Sequence, residues 1–188
     1  MDKFLIGITG FKRTGKTTMA MALANAEPLR GADLQGFADA VKDDVHRMIE
    51  EKAGYTLSKI QKAALKANSL GHMYQGYGEL ARRLFGEDFW IRRLETVLSD
   101  RAIIHDVRYP NEAEWIRSKG GLLIGVVGEI RDLQDTRDER HPSEVFVSEC
   151  LKMADVMVYN KHGYNHLIQE AVRIAEDIVG VTPEQVAV

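Results

Sequence analysis

Residues 10–20, GFKRTGKTTMA, set two glycines, three cations and three threonines between an apolar run, FLIGIT, and a helix-like run. Gly10, Gly15, Lys16 and Thr17 fit the spacing G-x-x-x-x-G-K-S/T. Glycines let the backbone turn tightly enough for successive N–H groups to face one anion. The N-terminal end of the following helix adds positive potential. Lys16 can then reach the β- and γ-phosphates of a nucleoside triphosphate, and the Thr17 hydroxyl can ligate Mg2+. The spacing alone also occurs in ordinary glycine turns; a strand before it and a helix after it are the context that gives it meaning. The expected ligand is ATP, held by Lys12, Arg13, Thr14, Gly15, Lys16, Thr17 and Thr18.

A second chemical stretch is RAIIHDVRYPNEAEW, residues 101–115. Beside such a phosphate cradle, an acid ending a neighbouring strand can hold the water shell of Mg2+. Asp106 is expected in that role, with Thr17 as the other metal contact. The cap of the following helix is assigned to Asn111. Arg108 falls at the carboxyl end of the strand, where ligands bind in open α/β sheets. His105 alternates to the opposite face and reads as a packed or solvent-facing histidine. His162 and His166 stand four apart without an acidic partner pattern, which favours a surface pair over a zinc site.

These residues need a scaffold. Strand-like runs occur at Phe4–Thr9, 102–106, 122–127 and 155–159, with a weaker one before Phe37, and helix-like runs fall between them. The alternation predicts βαβ units and an α/β P-loop NTPase fold, with a central parallel sheet of about five strands flanked by helices. Residues 38–100 are helical by pattern and too long for a plain crossover, so they read as a substrate-binding insert. The last helix is expected from about Tyr164, with Leu167, Ala171, Ile174, Ala175 and Ile178 at helical spacing on the face that packs on the sheet. TPEQVAV reads as a frayed tail. The expected organisation is one domain over 1–188: a core of 1–37 and 101–180, an insert of about 38–100 and a lid of about 128–144.

Composition narrows the class. A chain of 188 residues suffices for one α/β domain with a core. A net charge of −3 disfavours a nucleic-acid coat or a membrane-surface role. The single cysteine, Cys150, makes neither an internal disulfide nor a structural zinc site, which fits a reducing cytoplasm. The N-terminal apolar run is short and ends in glycine, unlike a cleavable leader. No apolar stretch approaches the roughly 20 residues that span a bilayer.

Several stretches resemble, in order, the deoxynucleoside monophosphate kinases of tailed bacteriophages: FADAVK (37–42), GELARRLFGEDFW (78–90), DVRYPNEAEWIRSKGG (106–121), RHPSE (140–144) and ADVMVYNKHG (154–163). The resemblance runs to about Gly180. It departs at Gly78, where a threonine is expected, and in the acidic stretch GEIRDLQDTRDER. It implies transfer of the γ-phosphoryl of ATP to a dNMP, giving dNDP for DNA synthesis in the cytoplasm of a host cell. Mg2+ is the implied metal, ATP and a dNMP the partners, with no nucleic acid or membrane and a homodimer left open. It favours Lys42, Arg82 and Arg108 as acceptor contacts; from the residues themselves, Phe37 and Trp90 are expected beside the dNMP, and Glu112 and Glu144 either hold its sugar or base groups or orient arginines. Lys16, Asp106, Arg108 and Arg131 are the implied catalytic residues, and Arg137 a further ATP contact.

The residues themselves agree with that chemistry. A phosphate acceptor has a second pKa of about 6 and needs no general base. It needs cations that align two polyanions and neutralise charge in transfer. Lys42, Arg82, Arg83, Arg92, Arg93 and Arg108 are available, though Arg83, Arg92 and Arg93 read as solvated helix arginines. Phe37, Tyr74, Phe89 and Trp90 are either a stacking face for a base or core. Residues 129–144 hold six acids and three arginines, Arg131, Arg137 and Arg140. They read as a lid bounded by Gly125 and Gly128 on one side and Pro142 on the other. Two alternatives stand beside this reading. A kinase acting on a hydroxyl would want a carboxylate base, for which Asp106 or Asp39 is available. A non-catalytic nucleotide switch would need a segment ordered by the γ-phosphate.

Overall fold

The computed structural model describes residues 3–59, 61–62, 70–128, 142–161 and 163–180. Its strands are β1 (Phe4–Thr9), β2 (Asp33–Gln35), β3 (Arg101–Val107), β4 (Leu122–Gly128) and β5 (Val156–Asn160). They form one sheet in the order β2-β3-β1-β4-β5, with every neighbouring pair parallel. The weak strand expected before Phe37 is β2, a three-residue edge strand whose exposure explains its faint apolar pattern. β1 lies in the middle; from it the chain crosses to the edge strand β2, returns to β3 beside β1, and then passes to β4 on the other side. Residues 10–15 therefore emerge at the point where the strand order reverses.

The helices are α1 (Lys16–Asn25), α2 (Phe37–Ala53), α3 (Leu70–Phe85), α4 (Phe89–Glu95), α5 (Pro110–Ser118), α6 (Pro142–Val145), α7 (Val147–Lys152) and α8 (Tyr164–Gly180). Both sheet faces are covered, so the central strands are buried on both sides instead of alternating with polar residues. Ile6, Ile8, Ile103, Ile124, Val126 and Val158 face α1 and α8. Ala102, Ile104, Val107 and Leu123 face the other way, against Ala113 and Ile116 of α5, Ile91 and Leu94 of α4, and Cys150 of α7. On α8, the expected stripe of Leu167, Ala171, Ile174 and Ala175 is buried, with Ile178 packed beside it. The tail after residue 180 lies outside the described residues.

Three helices of the middle segment share a small core of Val41, Ala81 and Trp90, edged by Tyr74, Tyr77 and Phe89. Trp90 Nε1 donates to the Gly78 carbonyl at 2.9 Å. Asp44 of α2 accepts from Tyr77 of α3 at 3.2 Å and from Arg93 of α4 at 3.3 Å, so Arg93 is not simply solvated. Within the stretch 38–100 expected to be helical, residues 60 and 63–69 lie outside the described residues.

Two local expectations are corrected. Gly125, read as a hinge for the lid, lies inside β4, paired to Thr9 and Met157. A Cβ there would fall 2.5 Å from the Met157 sulfur, so glycine serves close packing of strands. Asn111, read as the cap of α5, lies within the helix, and its amide reaches Glu87 and Asp88 instead.

Candidate active site

The cradle forms because its backbone conformations are ones that glycine allows. Gly10 (φ 150) and Gly15 (φ 105) have positive φ, as does Arg13 (φ 68). A Cβ on Gly10 would fall 2.2 Å from the Val126 carbonyl of β4; one on Gly15 would meet Leu167 of α8 at 2.6 Å. The loop is thus wedged between β4, β5 and α8. Thr14 Oγ1 donates to the Phe11 carbonyl at 2.9 Å, and Asn160 Nδ2 donates to the Thr14 carbonyl at 3.0 Å. Lys16 Nζ reaches the same Phe11 carbonyl at 2.5 Å, which draws its charge over the turn. No side-chain hydrogen bond caps α1 at Gly15, and amides of an uncapped first turn are suited to an anion. Lys12, Thr14 and Lys16 are buried, while Thr17 is exposed. Thr18 borders an open groove of about 320 Å³ between α1 and α8, lined also by Met21, Tyr164 and Ile168.

Asp106 stands one residue before Val107, the partner of Thr9 at the end of β1. Its carboxylate accepts the backbone N–H of Phe37 at 2.9 Å and of Ala38 at 3.0 Å. It thus caps α2 from another strand, where the extended Gly36 has no side chain to do so. A Cβ on Gly36 would sit 2.6 Å from Asp106 Oδ2. One turn into α2, Lys42 pairs with Asp39 at 2.6 Å. Burial pulls the Lys42 ammonium down, but Asp106 and Asp39 outweigh it and raise its pKa, so Lys42 keeps its charge. Further along, His46 Nε2 and the Tyr74 hydroxyl share a hydrogen bond at 2.7 Å.

Arg82 and Glu112 come together, with each other. Arg82 Nη2 donates to Glu112 Oε1 at 2.5 Å, Arg82 Nη1 to the Glu87 carbonyl at 2.7 Å, and the guanidinium lies 3.8 Å over the Tyr109 ring. The two side chains are 4% and 2% exposed, which leaves no open face for a ligand. Burial pushes the Glu112 carboxyl up, to about 7, against the pull of Arg82 and of the Arg108 and Tyr109 amides. Burial also raises the Tyr109 hydroxyl and pushes the Cys150 thiol up to about 12, leaving both neutral and Cys150 unreactive.

The remaining expectations divide plainly. Arg108 follows β3 at the carboxyl edge of the sheet. Phe37 and Trp90 are core residues rather than a stacking face. Arg83 pairs with Glu79 on the surface, and Arg92 donates to the Phe85 carbonyl. His166 bonds the Tyr159 carbonyl at 3.1 Å. Arg131, Arg137, Arg140 and His162 lie outside the described residues, as does the side chain of Glu144. Asn160 escaped the sequence reading: an asparagine ending a strand carries no spacing signal, although it braces the cradle and accepts the Gly163 N–H at 3.0 Å.

For Mg2+, the two donors expected from the sequence are the Thr17 hydroxyl on α1 and the Asp106 carboxylate near the end of β3. Among the described residues no group of three or more His, Cys, Asp or Glu side chains comes together. Such a pair fits a hard cation that keeps most of its water and takes phosphate oxygens, and it does not fit a closed all-protein cage. The Asp106 oxygens each retain a lone pair beyond the α2 amides, so contact through water is open to it.

No family model matches the chain, and no curated protein matches it. Its likeness is to solved structures. A shikimate kinase from Acinetobacter baumannii, solved with shikimate, is 16% identical, with 95% of this chain and 94% of that one aligned at a TM-score of 0.52. TT1252 from Thermus thermophilus is 14% identical, with 97% and 100% aligned at a TM-score of 0.50. With the five-stranded parallel sheet and the cradle after β1, the likeness establishes an α/β P-loop NTPase fold. Among the described residues no helix is long and apolar enough to cross a membrane.

Proposed function

We propose that the chain is an ATP-dependent kinase that carries the γ-phosphoryl of ATP to a deoxynucleoside monophosphate, giving dNDP and ADP. The observation that supports this reading is positive charge beside the carboxyl edge: Lys42 keeps its charge next to Asp39 and Asp106, and Arg108 directly follows β3. Asp106 meanwhile caps α2 through its two oxygens. A hydroxyl acceptor wants a base to take its proton; a phosphate acceptor does not. What phosphate transfer wants is alignment and positive charge. Lys42 and Arg108 supply it on the acceptor side, and Lys16 supplies it on the β- and γ-phosphates. Thr17 and Asp106 would hold Mg2+, which when bound offsets charge on the phosphates. Arg131 at the transferring group, Arg137 toward ATP and Glu144 toward the dNMP rest on the sequence alone, as do the lid, the host cytoplasm and the role in DNA precursor supply.

A hydroxyl acceptor is the second reading, since the fold is shared with a shikimate kinase. Release of ADP in the presence of each dNMP, each NMP, shikimate and a set of sugars separates the two. Turnover with a dNMP and formation of its diphosphate support the proposal. Turnover with hydroxyl acceptors alone overturns it, and binding of ATP without transfer to any acceptor points to a switch protein.

A further inference from the structure

The Arg82–Glu112 pair has no part in the cradle, yet it joins two pieces of the acceptor side. Glu112 stands in the first turn of α5. Its Oε2 accepts the backbone N–H of Arg108 at 2.9 Å and of Tyr109 at 3.2 Å, while Oε1 accepts from Arg82 of α3. Arg82 covers the Tyr109 ring and bonds the Glu87 carbonyl in the α3–α4 turn. Asn111 donates to that same carbonyl at 3.2 Å and to Asp88 Oδ1 at 2.8 Å. The turn between α3 and α4 is therefore stapled to the loop that carries Arg108.

A buried ion pair is a poor way to gain stability, because desolvation offsets the attraction and apolar residues of similar volume hold helices together as well. What it does supply is direction: planar, bidentate-capable groups accept only a narrow set of orientations. Direct binding of an acceptor phosphate by Arg82 would leave the Glu112 carboxylate buried beside nothing but two amides. We infer that Arg82 and Glu112 are positioning residues: they fix the backbone of Arg108 and Tyr109 and thereby aim the Arg108 side chain at the acceptor phosphate, without touching the acceptor. The role of Arg108 here rests on the proposed function.

The test is a double-mutant cycle of Arg82→Met, Glu112→Leu and the two combined, read by the KM for dNMP and for ATP and by hydrogen exchange at the Arg108 and Tyr109 amides. In the wild type both amides should exchange slowly. Each single variant should raise the KM for dNMP by about tenfold or more and shift that for ATP by less than about twofold. The double variant regains packing through its apolar pair. It should nevertheless keep the raised dNMP KM, no worse than the poorer single variant, with both amides exchanging fast. A double variant with normal dNMP KM shows a pair that only holds the fold together and overturns the inference. So does Glu112→Leu with unchanged dNMP KM beside a defective Arg82→Met, the pattern of direct contact. If the single variants do not fold, the double variant decides; fast exchange of both amides in the wild type overturns the inference whatever the variants do. A wild-type chain inactive toward every dNMP overturns the proposed function instead, and the exchange comparison still decides what the pair holds.

Discussion

Lys16 lies over its own loop, bonded to the carbonyl of Phe11, so its charge already sits in the turn that a triphosphate would enter. On the proposed function, its removal takes positive charge from the transferring group. Lys16→Ala should cut kcat by about 10³-fold or more, roughly 4 kcal/mol of transition-state stabilisation, with the thermal midpoint nearly unchanged. Assay of ADP release beside a circular-dichroism melt checks this; near-normal turnover by the folded variant would remove the cradle from the mechanism. Asn160 acts on the same loop from β5. Asn160→Ala strips partners from the Thr14 carbonyl and the Gly163 amide. ATP affinity should fall by about tenfold, close to 1.4 kcal/mol, as measured by titration calorimetry with ATP alone. Lys16 was legible because its neighbours form a spacing; Asn160 was not, because its partner lies 146 residues away.

At the scale of elements, the informative contact is the cap of α2 by Asp106. A helix start on extended Gly36 has no side chain of its own to satisfy the first amides, and β3 provides one. Asp106→Ala should cost about 1–2 kcal/mol as a lost cap. For a chain of this size that is a fall of roughly 2–8 °C in the thermal midpoint, independent of Mg2+ in the absence of nucleotide. Gly36→Ala should act in the same direction, since its Cβ would press on the carboxylate. A melt of Asp106→Ala that overlays the wild type would deny the cap. The strands and the last helix were legible from apolar pattern, because a buried strand or a striped helix face repeats within one element. Capping of α2 was not, since it depends on which strand ends beside that helix.

At the scale of the molecule, a cradle and an acceptor side on one sheet edge predict linkage between two ligands. Each ligand at about 100 times its Kd should stabilise the fold by about 2.7 kcal/mol, a rise of roughly 5–10 °C at this chain length. Thermal shift with ATP and Mg2+, with a dNMP, and with a dNMP plus a non-hydrolysable ATP analogue measures it; no rise with any dNMP would count against the acceptor. The lid proposed over about 128–144 belongs to this scale too. Hydrogen exchange across residues 129–140 should slow only when both nucleotides are present, and Arg131→Ala should lower kcat by about 10³-fold. Unchanged exchange in the ternary complex with near-normal kcat would leave that stretch a solvated loop.

The amino-acid sequence by itself determined the cradle, the parallel α/β architecture and the buried stripe of α8. Each of these is written in short-range terms: glycines at positive φ, apolar runs of strand length, and a helical period of apolar residues. Only the tertiary structure decided what the charged and aromatic side chains do. An arginine has the same identity whether it faces a ligand or a buried glutamate, and an aromatic whether it stacks on a base or fills a core. Arg82 meets Glu112 across 30 residues, Asp106 meets Phe37 across 69, and Trp90 is turned inward against Val41 and Ala81. Those outcomes follow from which helix packs against which loop, and burial then makes pairing obligatory, because an unpaired charge away from water costs far more than one in solvent.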